Sequence, residues 1–460
     1  MALDLYEHNA NAYMAAYEMM DKYGKAAIVH PTGTGKSYIA FKLIEAHPNE
    51  MIIWLSPSEY IFKTQRESLL HQDQDFPLQN VRFYTYAKLM CSTPEQLNQI
   101  AEQNPTYIIL DEFHRIGAKF WGESTQRLLD LCPRAKLLGL TATNVRYLDN
   151  NRDMAEELFN GHVASEMTLG EAIVRGILPA PKYVTTVFKY QQDLARYQSR
   201  VDNLRSPGIQ DVNQKYLDAL KRALEQADGL DKVFARHITN KSGKYIVFCS
   251  GKDHMDEMIS HVPEWFAAID TKPTVYKALS DDPATDKAFA AFKADNSKHL
   301  KLLFCIDMLN EGVHVEGISG VILFRPTISP IIYKQQIGRA LTAGDSATPL
   351  ILDVVNNFEG LSSISGLQNE MAAAVQRLYA NGESDKVVTD RFEVVERVHD
   401  CRVLFEQLQS SLSSTWDHYF SEASIYYAEH GNLDIPRRYK TPMGLSLGAW
   451  LQIQRQVPSG

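Results

Sequence analysis

Short apolar runs alternate with helix-forming stretches as far as residue 352, and this alternation limits the folds that the chain can adopt. Strands that are apolar on both faces and separated by helices are typical of a parallel sheet with helices on either side. The runs fall into two series, so we predict an α/β fold with two doubly wound parallel-sheet domains in tandem. The first series is 26–29, 51–55, 81–84, 107–110 and 137–140, and the second is 245–249, 274–276, 302–306, 321–324 and 350–352.

Length and composition agree with this plan. The chain has 460 residues, which allows roughly three domains at about 150 residues each. With 45% hydrophobic and 22% charged residues it is an ordinary globular protein. The formal net charge of −9 excludes a strongly basic, histone-like protein that coats nucleic acid. It also counts mildly against any nucleic-acid partner, because phosphate binding usually leaves a basic footprint.

The sequence shows no targeting or membrane signal. The first residues, Met1-Ala2-Leu3-Asp4, lack a basic flank and an apolar region, and no apolar run approaches the roughly 18 residues that span a bilayer. We therefore expect a cytoplasmic protein without a membrane partner. The five cysteines are scattered and form no CxxC pair, which argues against a disulfide framework or a zinc site.

Polar helical stretches separate and follow the two α/β series. Residues 188–238 have a helical rhythm broken by Ser206-Pro207-Gly208, which predicts a helical hairpin inserted between or onto the domains. We place the first α/β domain at 1–180, the helical insertion at 181–240, the second α/β domain at 241–358, a helical connector at 359–414 and a small α-helical C-terminal module at 415–460.

The first predicted strand leads directly into a glycine-rich loop and then into a helix. The loop reads His30-Pro31-Thr32-Gly33-Thr34-Gly35-Lys36-Ser37. Here backbone N–H groups and the helix N-terminus can surround phosphate oxygens, Lys36 can reach the β and γ phosphates, and Ser37 can ligate Mg²⁺. His30 stands where the strict pattern has glycine, so the loop alone also fits a plain glycine turn before a helix.

A second motif, Asp111-Glu112-Phe113-His114, follows the apolar run 107–110. A carboxylate at the carboxyl end of a buried strand, beside a phosphate loop, is what Mg²⁺ needs. We assign Asp111 to the metal and Glu112 to orienting and deprotonating the attacking water. His114 either couples this site to Thr141-Ala142-Thr143 or satisfies a local loop.

These motifs resemble, in order, those of the DExD/H-box ATPases of helicase superfamily 2. Residues 32–37 resemble motif I, 111–114 motif II and 141–143 motif III. In the second series, the resemblance continues with Val247-Phe248-Cys249-Ser250 as motif IV, Asp307-Met308-Leu309-Asn310-Glu311-Gly312-Val313-His314 as motif V and Gln335-Gln336-Ile337-Gly338-Arg339 as motif VI. The ordered set covers residues 1–358 and is specific as a set.

The resemblance implies two RecA-like domains with ATP and Mg²⁺ between them. The nucleotide-binding residues it implies are Thr32, Gly33, Thr34, Gly35, Lys36 and Ser37 from the first domain and Gly312 and Gln335 from the second. Arg339 would stabilise transition-state charge when the domains close. Relatives usually carry another arginine three positions on, where this chain has Thr342, which leaves hydrolysis either slow or assisted by another residue.

Upstream of the loop, Tyr6-Glu7-His8-Asn9 lies about where family members place a glutamine that reads adenine. Asn9 offers the same carboxamide donor and acceptor, and Tyr6 an aromatic face. An ordinary N-cap for a helix over 10–20 is the alternative for Asn9.

In the family, a groove opposite the nucleotide contacts the sugar-phosphate backbone through hydroxyls and main-chain N–H groups, contacts that carry little sequence information. The matching residues are Ser58 together with Gln65, Thr85, Ser250 and Asn310. Singly, Ser58 or Thr85 is also an ordinary helix cap.

The C-terminal stretch resembles the helicase-associated domain of some bacterial superfamily 2 proteins. An aromatic stripe (Trp416, Tyr419, Phe420, Ala423, Tyr427) at helical spacing fits a core face. Arg437 and Arg438, with Lys440 and Arg455, outnumber the single Asp434, so we predict a phosphate-facing patch. The match stops where such a module continues into another helix, which suggests either a truncated module or a degenerate C-terminus.

We predict a nucleic-acid-stimulated ATPase, a helicase or translocase with DNA favoured over RNA. One alternative is a weakly hydrolysing, nucleotide-gated clamp or switch that recruits a partner. Another is the motor subunit of a restriction or defence complex. No PD…(D/E)xK nuclease motif is evident in the sequence, so the nuclease would be a partner protein.

Overall fold

The computed structural model describes residues 3–117, 119–143, 145–146, 152–187, 191–202, 204, 207–225, 229–279, 285–306, 317–324, 330–343, 348–355, 363–396, 399–430, 432–440 and 446–455. Two of the expected site residues, Asn310 and Gly312, lie outside these ranges. Two parallel sheets with helices dominate the described part, which confirms the α/β class and the two-sheet plan. No helix in the described ranges is long and apolar enough to cross a membrane.

The first α/β domain contains a parallel sheet and a short antiparallel ribbon. In chain order its strands are β1 (Lys25–Val29), β2 (Ile52–Ser56), β3 (Val81–Thr85), β4 (Tyr107–Asp111), β5 (Lys136–Thr141), β6 (Val145–Arg146), β7 (Arg152–Asp153) and β8 (Val163–Glu166). The parallel sheet has the order β3-β2-β4-β5-β1-β8, and β6 pairs with β7. All five predicted runs of the first series are strands here. The half-buried edge strand β8 was missed because it has no continuous apolar run.

Helices cover both faces of this sheet. They are α1 (Glu7–Tyr23), α2 (Ser37–Ala46), α3 (Glu59–Gln72), α4 (Tyr86–Met90), α5 (Pro94–Ala101), α6 (Lys119–Leu131) and α7 (Met154–Phe159), with a 3₁₀ turn at Phe113–Gly117. The next helix in the chain, α8 (Leu169–Val174), packs into the core of the second sheet instead. Successive side chains of a strand point to opposite faces. Ala26 and Ile28 accordingly pack into one core, and Ala27 and Val29 into the other. The carboxyl ends of β4, β5 and β1 are neighbours, so the loops that follow them meet at one edge.

The second α/β domain is built around another parallel sheet. Two helices, α9 (Gln191–Asp202) and α10 (Pro207–Glu225), lie in the chain between the first and second strands of this sheet. Its strands are β9 (Lys182–Val187), β10 (Lys244–Phe248), β11 (Thr274–Ala278), β12 (Lys301–Cys305), β13 (Ile318–Leu323), β14 (Leu350–Val355) and β15 (Glu393–Glu396), in the order β11-β12-β10-β13-β14-β9-β15. Its helices are α11 (Leu230–His237), α12 (Lys252–Ser260), α13 (Val262–Trp265), α14 (Thr285–Ala294), α15 (Pro330–Gly338) and α16 (Ser363–Ala380), with a 3₁₀ turn at Ser384–Lys386.

Two strands of this sheet correct local expectations. β9 falls in the range 181–240 that we expected to be a helical insertion, and β15 falls in the expected connector 359–414. Their valines and threonines favour a strand once a neighbouring strand is available. Leu169 and Ile173, which the sequence assigned to the first domain, pack into the core of the second sheet. The domain boundaries themselves stay predictions.

Helices α9 and α10 belong to a separate compact unit, residues 189–227 and 398–460, which also contains α17 (His399–His430) and α18 (Leu447–Gln454). Tyr197 of α9 packs edge-on against Phe405 of α17, with ring centroids 5.3 Å apart. A small core of Ala423, Ile435 and Leu447 lies towards the C-terminal end.

Candidate nucleotide site

The glycine-rich loop connects β1 to α2 and has a backbone that only glycine tolerates well. Gly33 and Gly35 have φ angles of 91° and 78°, in the left-handed region. A Cβ on Gly33 would lie 2.0 Å from the Leu341 carbonyl oxygen. The Gly33 carbonyl also accepts a hydrogen bond from the Ala343 N–H at 2.9 Å. The loop therefore contacts the segment that follows the motif VI helix α15.

Helix α1 supports the loop from the other side. The Asn9 side chain is buried, and its Nδ2 donates to the Thr34 carbonyl at 2.8 Å. His8 Nε2 forms a hydrogen bond with the same oxygen. Helix α1 begins at Glu7, so the N-cap alternative for Asn9 is wrong. Asn9 Oδ1 is buried and has no hydrogen-bond partner in the part of the chain that the structure describes. Whether Asn9 reads adenine stays a prediction.

Lys36 and the motif II carboxylates meet below the loop. Lys36 Nζ lies 3.2 Å from Glu112 Oε1, and both side chains are buried. Asp111 ends β4 and is 1% exposed. Glu112 adopts a φ of 48°, which is rare for a residue with a side chain and directs the chain sharply away from the strand.

The two carboxyl groups have opposite electrostatic surroundings. Burial, and then the charge of Glu112, raise the pKa of Asp111 to about 7. Burial would also raise the pKa of Glu112, but the Lys36 ammonium, with His114 and Arg339, outweighs it and lowers that pKa to about 2. Glu112 is thus an ionised acceptor at working pH, as a base for water must be. A cation beside Asp111 would favour its ionised form.

Gln65 reaches the same place from α3. Its Nε2 donates to Ser37 Oγ at 2.8 Å and to Asp111 Oδ2 at 3.2 Å. The sequence placed Gln65 among the nucleic-acid contacts, whereas the structure places its carboxamide between the two residues assigned to Mg²⁺. Strand order holds the missing signal, because β2, which leads into α3, is the neighbour of β4.

Motif III joins this network from the end of β5. His114 Nδ1 lies 2.7 Å from Thr141 Oγ1, which is itself 3.4 Å from Glu112 Oε2. The Ala142 N–H donates to the same carboxylate oxygen at 3.4 Å, and Thr141 Oγ1 bonds the Thr143 carbonyl. The structure therefore brings His114 and Thr141 together, as the coupling alternative requires. The coupling role stays a prediction.

Motif VI faces the loop from the second domain. A Cβ on Gly338 would lie 3.1 Å from Thr32 Cβ, so α15 ends against the loop. Arg339 is 8% exposed. Its positive charge contributes to the lowered pKa of Glu112, so the Arg339 guanidinium faces the side of the cleft that carries Glu112. Gln335 is buried and lines a cavity of about 170 Å³ together with Thr32 and Thr143.

Three family models match the chain in succession and account for most of it. They are "Type III restriction enzyme, res subunit" at residues 2–146, "Helicase conserved C-terminal domain" at 226–344 and "Helicase associated domain" at 413–459. The chain belongs to helicase superfamily 2. It carries a helicase-associated domain at its C-terminus, and this family membership implies the use of ATP.

Similar proteins include a subunit of a restriction enzyme and a phage protein. This superfamily 2 chain is 24% identical over 345 residues to the endonuclease subunit of the Escherichia coli type I restriction enzyme EcoAI, which covers 68% of this chain and 41% of that protein. A 51.5 kDa protein of a Lactococcus phage is 22% identical over 338 residues, covering 72% of this chain and 66% of that protein.

Two solved structures share the fold. The type ISP restriction-modification enzyme LlaBIII bound to DNA matches with a TM-score of 0.56 at 16% identity, over 90% of this chain and 33% of that chain. A fragment of a putative HsdR subunit of a type I restriction enzyme from Vibrio vulnificus matches with a TM-score of 0.52 at 19% identity, over 85% and 69%. The chain thus spans less than half of the EcoAI and LlaBIII proteins.

The expected nucleic-acid residues of this superfamily 2 chain are dispersed over both units. Ser58 and Thr85 cap α3 and α4, accepting from the N–H groups of Ile61 and Lys88. Ser250 Oγ lies 2.8 Å from His254 Nδ1 at the exposed start of α12. Arg437 and Arg438 are exposed in the C-terminal unit. The cap alternative is therefore realised for Ser58 and Thr85, which does not preclude a contact, since each hydroxyl keeps further hydrogen-bonding capacity.

The aromatic stripe of α17 divides between core and surface. Tyr419 stacks on Trp450 at 5.4 Å, and Ala423 is buried. Phe420 and Tyr427 are more than half exposed. The core reading thus holds for only part of the stripe. The sequence missed Tyr439, whose ring packs edge-on against Tyr426 in the same small core.

Proposed function

We propose that this protein is an ATP-driven motor that moves on, or remodels, DNA. The main support is that Lys36, Glu112 and Asp111 come together at one edge of the first sheet. Helix α15 and the buried Arg339 face them from the second domain. A phosphate loop and an ionised base in one domain, faced by an arginine from another, suit hydrolysis that depends on domain closure.

The residues at this edge also fit Mg²⁺. Ser37 Oγ and the Asp111 carboxylate are oxygen ligands of the kind that Mg²⁺ prefers, and both already bond the single Gln65 Nε2. Mg²⁺ bound there would offset phosphate charge and orient the triphosphate.

The chain's own residues then have separate roles. Lys36 exchanges Glu112 for phosphate oxygens, and Glu112 orients the attacking water and takes its proton. Arg339 stabilises charge on the transferred phosphoryl group. His114 and Thr141 hold Glu112 in place and transmit its state to motif III, through the contacts of 2.7 and 3.4 Å.

DNA is the favoured track because the solved relative LlaBIII is bound to DNA and the EcoAI relative is an endonuclease subunit. The acidic chain would grip the phosphate backbone through hydroxyls and main-chain N–H groups. Arg437 and Arg438 would add local positive charge. Such binding is weak and salt-sensitive without ATP.

A second candidate is the motor subunit of a restriction complex, with a nuclease as partner. The resemblance to the EcoAI subunit favours it. The discriminating observation is stable co-purification with a nuclease subunit and cleavage of DNA by the assembled complex.

Steady-state ATP hydrolysis, measured with and without single-stranded DNA, duplex DNA and RNA, tests the proposal. We expect at least tenfold stimulation by DNA and less by RNA. A flat response together with ATP-dependent binding of a protein partner would instead identify a nucleotide-gated clamp, the reading that Thr342 favours.

A further inference from the structure

Gln65 contacts both oxygens that the proposed function assigns to Mg²⁺. Its Nε2 lies 2.8 Å from Ser37 Oγ and 3.2 Å from Asp111 Oδ2. A carboxylate accepts hydrogen bonds and does not donate them, so the amide must present its NH₂ group to Asp111. The partial positive charge of that group lies where a cation would bind.

The other end of the same carboxamide is poorly satisfied. Gln65 Oε1 is fully enclosed and has no hydrogen-bond partner among the described residues. A buried carbonyl oxygen without a partner is destabilising. Gln65 thus donates two hydrogen bonds to the residues of the metal site at the cost of an unsatisfied carbonyl oxygen. This arrangement suggests that the position of Gln65 serves the metal site rather than the stability of the fold.

We propose that Gln65 gates the magnesium site by competing with Mg²⁺ for Ser37 and Asp111. This inference rests on the proposed ATPase function and adds a regulatory residue to it. The NH₂ group must withdraw before a cation can bind Ser37 Oγ and Asp111 Oδ2 together, because Nε2 lies within hydrogen-bond distance of both oxygens and occupies the space between them. Because Mg²⁺ must displace this NH₂ group, nucleotide binding requires a higher Mg²⁺ concentration than it would without Gln65. Until Mg²⁺ binds, the NH₂ group keeps Ser37 and Asp111 hydrogen-bonded.

Gln65 belongs to helix α3, and a movement of this side chain or helix would withdraw the NH₂ group from the metal site. Gln65 lies two turns along α3, whose N-terminus is capped by Ser58. Thr64, the preceding residue, is buried and bonds the Ile61 carbonyl at 2.8 Å. A change of the Gln65 rotamer, or a small shift of α3, removes the NH₂ group without disturbing the sheet.

Gln65→Ala removes the competitor, and Gln65→Leu does so while keeping most of the side-chain volume. The control is Gln103→Ala, because Gln103 Nε2 donates to Tyr84 Oη at 3.1 Å and its enclosed Oε1 has no partner within the described ranges. The measurement is the binding of a fluorescent ATP analogue to the full chain, titrated with Mg²⁺, which requires no turnover. Circular dichroism checks that each variant is folded.

We expect both Gln65 variants to reach half-maximal binding at a Mg²⁺ concentration at least threefold lower than wild type, with Gln103→Ala unchanged. An unchanged or higher Mg²⁺ requirement in the folded Gln65 variants overturns the gate and makes Gln65 a supporting residue. If wild type itself fails to bind the analogue at any Mg²⁺ concentration, the proposed function fails, a result distinct from failure of the gate alone.

Discussion

Lys36 Nζ lies 3.2 Å from Glu112 Oε1, so the cation that should bind phosphate is held by the carboxylate that should activate water. ATP must separate this pair, and the same event leaves Glu112 available to the water. Binding and activation are thereby linked through two atoms.

Lys36→Ala should lower ATP turnover by about 10²–10³-fold or more, because it removes a positive charge aimed at the developing phosphoryl charge. The change also leaves the Glu112 carboxylate buried without its partner, and loss of one partner of a buried ion pair lowers the free energy of unfolding by about 3–5 kcal/mol. Steady-state hydrolysis and thermal unfolding check the two effects. Lys42→Ala, on the same helix but paired with Glu45, is the control and should keep its turnover. Robust hydrolysis by Lys36→Ala would remove the site assignment.

Glu112→Gln should reduce hydrolysis by about 10²–10⁴-fold while ATP binding persists, since a carboxamide cannot take the proton from water. We expect an ATP-bound form with a slower DNA off-rate than wild type, measured by fluorescence anisotropy. An off-rate equal to that of wild type would contradict the coupling of nucleotide state to DNA grip.

Arg339→Ala should lower DNA-stimulated kcat by about 10³-fold or more if Arg339 is the arginine that acts across the cleft. Binding of the ATP analogue should change far less, because the charge is needed mainly in the transition state. Thr342→Arg, which restores the arginine usual in relatives, is the companion variant and should raise kcat. Equal kcat in Arg339→Ala and wild type would show that another residue supplies the charge.

His30, which replaces the glycine of the strict loop pattern, should make stability depend on pH. Burial, with nearby positive charges, lowers its pKa to about 3, and its ring is bonded to Ser165 Oγ at 2.8 Å. The folded pKa lies below the unfolded value of 6.5, so the unfolded state takes up the proton first. Stability is therefore complete above about pH 6.5 and falls towards pH 3, by up to about 1.4 kcal/mol per pH unit.

The free energy of unfolding, measured by urea denaturation, should decrease between pH 7 and pH 5 in wild type. The decrease over the same pH range should be smaller in His30→Gln. His261→Gln, which changes a partly exposed histidine, is the control and should follow wild type. Parallel losses in wild type and His30→Gln would refute this source of acid sensitivity.

Arg437→Ala and Arg438→Ala should each weaken DNA binding nearly equally for all sequences and reduce the slope of log affinity against log salt by about 0.7–0.9. Lys215→Ala, an exposed lysine of the same unit paired with Asp211, is the control. Unchanged slopes in both arginine variants would show that the tail does not contact phosphate.

The sequence predicted the interior strands well because strands buried on both faces need continuous apolar runs. Ile52–Ser56 and Lys301–Cys305, each wholly buried, are examples. Edge strands such as Val163–Glu166 and Glu393–Glu396 pair on one side only and carry charged ends, so their runs resemble loops. Their place became clear only once the neighbouring strands were fixed.

The phosphate loop and motif II could be predicted because consecutive residues carry the chemistry. Gln65 could not, since its contact with Ser37 and Asp111 depends on β2 lying beside β4 and on the length of α3. Likewise, Phe420 and Tyr427 share a helical spacing with buried residues yet face solvent, because the small core of the C-terminal unit covers only part of α17.

Displacement of a triplex-forming strand from duplex DNA measures movement along DNA most directly. We expect wild type to displace the strand with ATP, and Lys36→Ala and Glu112→Gln to leave it bound. Absence of displacement by wild type, together with DNA-stimulated hydrolysis, would contradict the motor and favour a nucleotide-gated clamp.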